Sequence, residues 1–199
     1  MTVALAQTGG ATGSRLRAPA AFSDDILVGR IAAGDRLAMQ TLFARHRVPV
    51  YRWLARIVRD EALAEDLVSE VFLDVWRQAA AFKARSSVST WLFAIARYKA
   101  LSARRRRIDV ELEQEVAASI ADPADDPERA LEKKKRDELL GRCLGMLTPE
   151  HGEVIDLVYY HGKSVKDVAD IIGIPEATVK SRMFHARKKL AELTVSQGM

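Results

Sequence analysis

The feature that most constrains this chain lies near its middle. Residues 108–128 carry eight acidic residues, no basic residue and two prolines, Pro123 and Pro127. Like charges repel along such a run and proline interrupts a helix, so at least its second half is expected to be an extended linker. On either side the charge reverses. Residues 22–107 hold 16 basic and 9 acidic side chains, residues 129–199 hold 13 and 10, and residues 1–21 hold two arginines and no acid. The net charge of +4 therefore hides two basic blocks flanking an acidic one. The expected layout is a disordered tail over 1–21, one domain over 22–107, the linker over 108–128 and a second domain over 129–199. With 48% hydrophobic and 29% charged residues over 199 positions, both domains can build cores, each of them small.

Composition narrows the class further. The single cysteine, Cys143, excludes an internal disulfide and a Cys-rich zinc site, and it reads as a core residue. No apolar run approaches the ~18 residues of a membrane-spanning helix. The longest one near the start covers only residues 3–6, too short for a signal peptide. The expectation is a cytoplasmic protein with no membrane insertion.

The periodicity is helical throughout. Leu63, Leu67, Val71, Val75 and Ala79 recur every four residues beside a second row of Ala64, Val68, Phe72 and Trp76. Apolar positions repeat at helical spacing over 25–33, over 37–57 (where Pro49 is expected to kink or restart the helix) and over 90–107. In the second half, Thr148–Pro149–Glu150 is a helix start, with Thr as cap and Pro at the first helical position. Ser164 and Asp167 have capping-box spacing. Gly173–Ile174–Pro175 breaks the chain before a last helix over 176–193, whose buried row is expected to be Val179, Met183, Ala186 and Leu190. No segment alternates with period two, so the fold class is all-α: two small helical domains joined by an acidic linker.

Three segments could carry chemistry. A capped short helix, a glycine turn and a second helix over 164–190 make a helix-turn-helix, whose outer face shows Lys180, Ser181, Phe184, His185, Arg187 and Lys188. Cations there can meet phosphates and polar tips can reach base edges. The plainer reading is a helical hairpin with a solvated basic face. Residues 91–107 are apolar on one face and end in four consecutive arginines, a composition suited to nucleic acid. Trp91 in that stretch reads first as packing. Asp66, Glu70 and Asp74 share one face of a helix, either as a solvated acidic row or as a docking face for a basic partner. No phosphate-cradling glycine loop, nucleophile motif or paired histidine at metal spacing is present in the sequence, so neither an enzyme, a cofactor nor a metal site is expected.

In this order the features resemble the bacterial sigma-70 family, specifically its small extracytoplasmic-function group. The resemblance covers residues 23–193 and rests on DLVSEVF, STWLFAIARYKALSARRRR and LTPEHGEVIDLVYYHGKSVKDVADIIGIPEATVKSRMFHARKKL. It implies a promoter-specificity subunit that is not an enzyme. Core RNA polymerase, through its beta and beta-prime subunits, would dock on Asp66, Leu67, Ser69, Glu70, Phe72 and Asp74. The melted −10 element would be engaged by Lys83, Arg85, Ser86, Ser87, Trp91, Arg97, Tyr98, Lys99, Arg104 and Arg105. The −35 duplex would be read by Thr178, Lys180, Ser181, Arg182, Phe184, His185, Arg187 and Lys188. The other implied partners are promoter DNA and an anti-sigma factor, with the chain acting as one copy per polymerase in the cytoplasm. The acidic linker would thread toward the polymerase active-site and RNA-exit channels.

This chain departs from the family pattern at four positions. Ser69 stands where Gln is usual, Tyr98 and Ser102 stand where many members have Asn and Asp, and Gly152 stands where Arg is usual. Three other classes compete. A free-standing helix-turn-helix regulator would bind duplex DNA without polymerase. A protein-only adaptor would make no use of Lys180 or Arg187. A metal enzyme on Asp66, Glu70 and Asp74 would need ligands that do not converge in the sequence.

Overall fold

The computed structural model describes residues 23–111 and 143–196, and every described element is helical. The first half contains α1 (Asp24–Ala32), α2 (Arg36–Val58), α3 (Glu61–Gln78) and α4 (Val88–Glu111), with a 3-10 turn at Ala79–Ala81. The second half contains α5 (Pro149–Ile155), continued by a π turn at Asp156–Tyr160, then α6 (Val165–Ile172) and α7 (Glu176–Ser196). The tail and most of the acidic block lie outside the described residues. The first four residues of that block, 108–111, continue α4. There the helix outruns the boundary expected from charge alone.

Short polar side chains set the helix starts. Ser23 caps α1, Asp35 caps α2 by accepting from the Leu37 and Ala38 amides, and Asp60 caps α3 through the Leu63 amide. Ser87 accepts from the Thr90 amide, so α4 begins two residues before the sequence pattern placed it. Each such cap satisfies an amide that would otherwise be left without a helical partner, typically contributing about 1 kcal/mol. Helix α2 runs unbroken through Pro49, so of the kink or restart expected there the restart does not occur. Pro49 forfeits one backbone hydrogen bond, but Val50, Trp53 and Leu54 just beyond it are fully buried, and their packing holds the helix on course.

Helices α2, α3 and α4 pack against one another, and α1 lies across α2. Their core follows the two rows read on α3: Ala64, Leu67, Val68, Val71, Phe72 and Val75 are buried, and Ala79 continues them. They meet Leu42, Trp53 and Leu54 of α2 and Leu92, Phe93, Ala96 and Ala100 of α4. The second half does not build a wholly separate core. Val154, Leu157, Val168, Ile171, Ile172 and Val179 belong to the same buried cluster, while Leu147, Ile155 and Ala186 form a small one of their own. Helix α6 packs directly on α4. The expectation of two small cores is corrected on this point: most of the apolar interior is shared. Cys143 is fully buried, as expected of a core residue.

Candidate nucleic-acid interface

The acidic row of α3 is stabilised from α4. Lys99 donates to Glu70 at 3.1 Å and sits 3.0 Å from Asp74, whose other neighbour is Arg77 at 3.8 Å. The hydrogen bond to Asp74 is the strongest influence on Lys99 and, with Glu70, holds its ammonium above the ordinary lysine range despite partial burial. Lys99, expected among the DNA contacts, is thus turned toward the acidic row of α3. Asp66, Ser69, Glu70 and Leu73 are exposed on that face. Leu67 and Phe72 are not: both lie in the core, Phe72 edge-on to Phe43 with ring centroids 4.8 Å apart. Their expected role as contacts is corrected to that of packing residues which fix the exposed face.

The loop before α4 and the start of α4 carry the residues assigned to the melted element. Lys83, Arg85 and Ser87 are exposed, and Ser86 is half-buried. Ala84 between them has φ 50°, an uncommon conformation for a side chain with a Cβ. Trp91 lies tilted against Phe82 with centroids 4.8 Å apart, in agreement with its reading as packing. Tyr98 is 71% exposed, and Arg104 and Arg105 are exposed further along. Arg97, by contrast, is occupied. Its guanidinium donates to both carboxylate oxygens of Glu153 in α5, at 2.6 and 3.3 Å.

The helix-turn-helix of α6 and α7 has the local chemistry read from sequence. Ser164 and Asp167 make both bonds of the capping box. Gly173 closes α6 at φ 76°, a left-handed conformation that costs glycine little. Val179 and Ala186 of α7 are fully buried, Met183 and Leu190 are half-buried, and Leu193 extends the row. The opposite face presents Lys180, Ser181, Phe184, His185, Arg187 and Lys188 to solvent, with Thr178 and Arg182 half-buried at its edge. Phe184 is 61% exposed and lies edge-on to His185.

Sequence reasoning missed the residues that join the two halves. The Thr90 hydroxyl donates to Asp167 across 77 residues of sequence, at 2.7 Å. Burial by itself raises the Asp167 carboxyl, but hydrogen bonds from Ser164 and Thr90 outweigh it and leave its pKa below the ordinary 3.8. Lys163 donates to Ser89 at 2.5 Å and lies 4.7 Å from the Phe93 ring. Burial pushes the Lys163 ammonium below its ordinary range, a shift that Asp167 only partly opposes. Arg56 of α2 donates to Asp156 and lies over the Tyr160 ring at 4.0 Å. His161 is wedged edge-on against Trp53 and Phe93, with centroids 5.9 and 4.7 Å away.

This junction is not fully satisfied. Trp53 Nε1, Asp156 Oδ2 and His161 Nε2 are buried without a hydrogen-bond partner in the protein, although the last two lie 3.5 Å apart. Leaving such groups unmade typically costs about 1–3 kcal/mol each. The π turn brings them together: its extra residue per turn buries Asp156 and places His161 at the end of the helix. A capping box at Ser164 is legible in sequence, but nothing there shows that the same Asp167 spends its second oxygen on Thr90.

A helical molecule with an arginine-rich helix and a helix-turn-helix is a nucleic-acid-binding protein by class. Comparison with known proteins gives the family. The profile of Sigma-70 region 2 matches residues 42–108, and that of Sigma-70, region 4 matches residues 137–190. The chain is 30% identical over 170 residues to the ECF RNA polymerase sigma factor SigK of Mycobacterium tuberculosis, covering 83% of this chain and 90% of that one. It is 32% identical over 179 residues to SigL of the same species, covering 85% and 98%. Among solved structures it is similar to CnrH in complex with the cytosolic domain of CnrY, with TM-score 0.64, 25% identity and coverage of 87% and 97%. It is likewise similar to the sigma factor RpoE in complex with the anti-sigma factor NepR from Bartonella quintana, with TM-score 0.65, 25% identity and coverage of 78% and 95%. The chain belongs to the extracytoplasmic-function sigma factors of the sigma-70 family, which are transcription initiation factors. Among the described residues no helix is long and apolar enough to cross a membrane.

Proposed function

We propose that this chain binds core RNA polymerase as one copy per enzyme, recognises paired −35 and −10 elements, and assists melting of the −10 region. Its domains would be residues 22–107 for polymerase and −10 DNA, an acidic linker over 108–128, and residues 129–199 for −35 DNA. The beta-prime subunit meets the outer side of the α3 face, exposed Asp66, Ser69 and Glu70 with half-buried Asp74, which Leu67 and Phe72 hold in place. Unpaired bases of the −10 strand meet the loop of Lys83, Arg85, Ser86 and Ser87, together with Trp91, Arg97, Tyr98, Arg104 and Arg105 of the following helix. Stacking on Tyr98 supplies sequence-tolerant affinity, and the cations neutralise phosphates. Duplex is read by Lys180, Ser181, Arg182, Phe184, His185, Arg187 and Lys188, with Thr178 at the start of the helix. An anti-sigma factor holds the chain inactive in the cytoplasm until a stress or envelope signal frees it for the nucleoid. The observation that carries this reading is the cationic, solvent-facing side of α7 in a helix-turn-helix with a glycine-closed turn.

The test is reconstitution with bacterial core polymerase and run-off transcription from a fragment upstream of the chain's own gene. A stable complex with a discrete start site is the expected result. Duplex binding by the free chain, with no binding to core polymerase, would replace this reading with that of a free-standing regulator.

A further inference from the structure

Between α2 and the π turn lies a cavity of about 100 Å³, lined by Pro49, Arg52, Arg56, Tyr160 and His161. Its wall is rich in donors. Arg52 and Arg56 stand four apart on one face of α2. Arg52 is exposed and makes no ion pair with another described residue. Arg56 gives one nitrogen to Asp156 and lies 4.0 Å from the centre of the Tyr160 ring, a contact that fixes the plane of its guanidinium. His161 is the most buried part of the lining: its side chain is 6% exposed, and Nε2 has no hydrogen-bond partner. Asp156 is not in the lining, and it cancels one of the two guanidinium charges. The wall therefore keeps the positive charge of Arg52 even when the imidazole is neutral.

Two guanidinium groups, a phenol and an imidazole make the donor set of an oxyanion site. Guanidinium forks hold phosphate oxygens two at a time. An apolar occupant would strand these donors, and a cation would be repelled by Arg52. Size selects further. Pockets that enclose a whole drug-sized ligand measure roughly 300–1,000 Å³, so this one takes a single tetrahedral group. A phosphodiester inside a nucleic-acid strand carries a sugar on both sides. A terminal phosphate carries one substituent, which can stay outside against the half-exposed Tyr160. We propose that this cavity binds the terminal phosphate of a small phosphorylated metabolite, held by Arg52, Arg56 and His161. Such a ligand touches α2 and the π turn at once, so its binding to the folded chain raises stability in proportion to its occupancy. The inference stands independently of the promoter reading.

The test titrates the full chain with two probes at constant ionic strength: inorganic phosphate, and AMP as a phosphomonoester with an aromatic body. Calorimetry reads the affinity, and NMR of labelled histidine rings reads the place. The expected result is saturable one-to-one binding, tighter for AMP than for phosphate, with the His161 ring signals moving and those of His151 and His185 unmoved. Arg52→Gln removes an exposed cation without touching the core, and should weaken both probes at least about tenfold, the worth of one charge-assisted hydrogen bond. Arg47→Gln removes an exposed cation of the same helix outside the cavity, and should leave both affinities unchanged. AMP should also raise the urea midpoint of the wild type and not that of Arg52→Gln. No saturable binding would overturn the site. Equal losses in the two variants would reduce it to general attraction by a basic surface, and so would shifts at His151 or His185 with His161 unmoved. Phosphate bound as tightly as AMP would overturn the metabolite and leave a site for the free ion.

Discussion

At the scale of single residues, Asp167 is the most informative side chain, because it serves two structures at once. One of its oxygens completes the cap of α6 and the other accepts from Thr90. Its folded pKa lies below 3.8, so it contributes stability that is complete above the unfolded value and lost as the pH falls through the lower folded value. Thr90→Val removes one donor to the carboxylate while the capping bonds remain. The Asp167 pKa is expected to rise toward 3.8, and NMR titration of the carboxyl carbon reads it directly. A second residue-scale prediction concerns Arg59, which closes α2 at φ 55°. A side chain in that conformation carries a cost of roughly 1–2 kcal/mol that glycine does not. Arg59→Gly is expected to stabilise the chain by up to about 1 kcal/mol after the added freedom of the unfolded glycine is counted, seen as a higher midpoint in urea.

At the scale of elements, the helices were legible because each is written twice, as an apolar row and as a polar start. The α3 rows, the capping box and the glycine turn all stand where periodicity and cap chemistry placed them. The start of α4 and the course of α2 through Pro49 were less legible, since one depends on a serine hydroxyl and the other on packing that overrides a local preference. Gly152 is the clear weak point of α5: a Cβ there meets nothing within 4 Å, and its φ is not left-handed. Gly152→Ala is expected to stabilise by about 1 kcal/mol, raising the melting temperature by roughly 2–4 °C. The two binding elements should also separate by mutation. Glu70→Lys sets a cation against both Lys99 and a basic partner, and should weaken core-polymerase binding at least tenfold in a pull-down titration while leaving −35 duplex recognition in place. Lys180→Ala with Arg187→Ala should do the reverse, lowering −35-dependent initiation and sparing core binding.

At the scale of the whole molecule, sequence patterning found two blocks and their order, but not the interior they share. Contacts such as Thr90 with Asp167 and Arg97 with Glu153 join residues 77 and 56 positions apart, and no local pattern encodes such pairings. The buried cluster running from Leu27 to Val179 makes a definite thermodynamic claim. If the interior is shared, the free chain unfolds in one cooperative transition. All three tryptophans, Trp53, Trp76 and Trp91, lie in the first half, so their fluorescence reports mainly that half, with Trp53 also sensing His161 across the junction. Leu157, in the second half, is fully buried in the common cluster, and Leu157→Ala there typically costs about 2–5 kcal/mol. The tryptophan midpoint in urea is expected to fall together with the helical signal at 222 nm. Independent halves would give a different result: the tryptophan midpoint would hold its wild-type value while only part of the helical signal melted early, and the shared core would then be untenable.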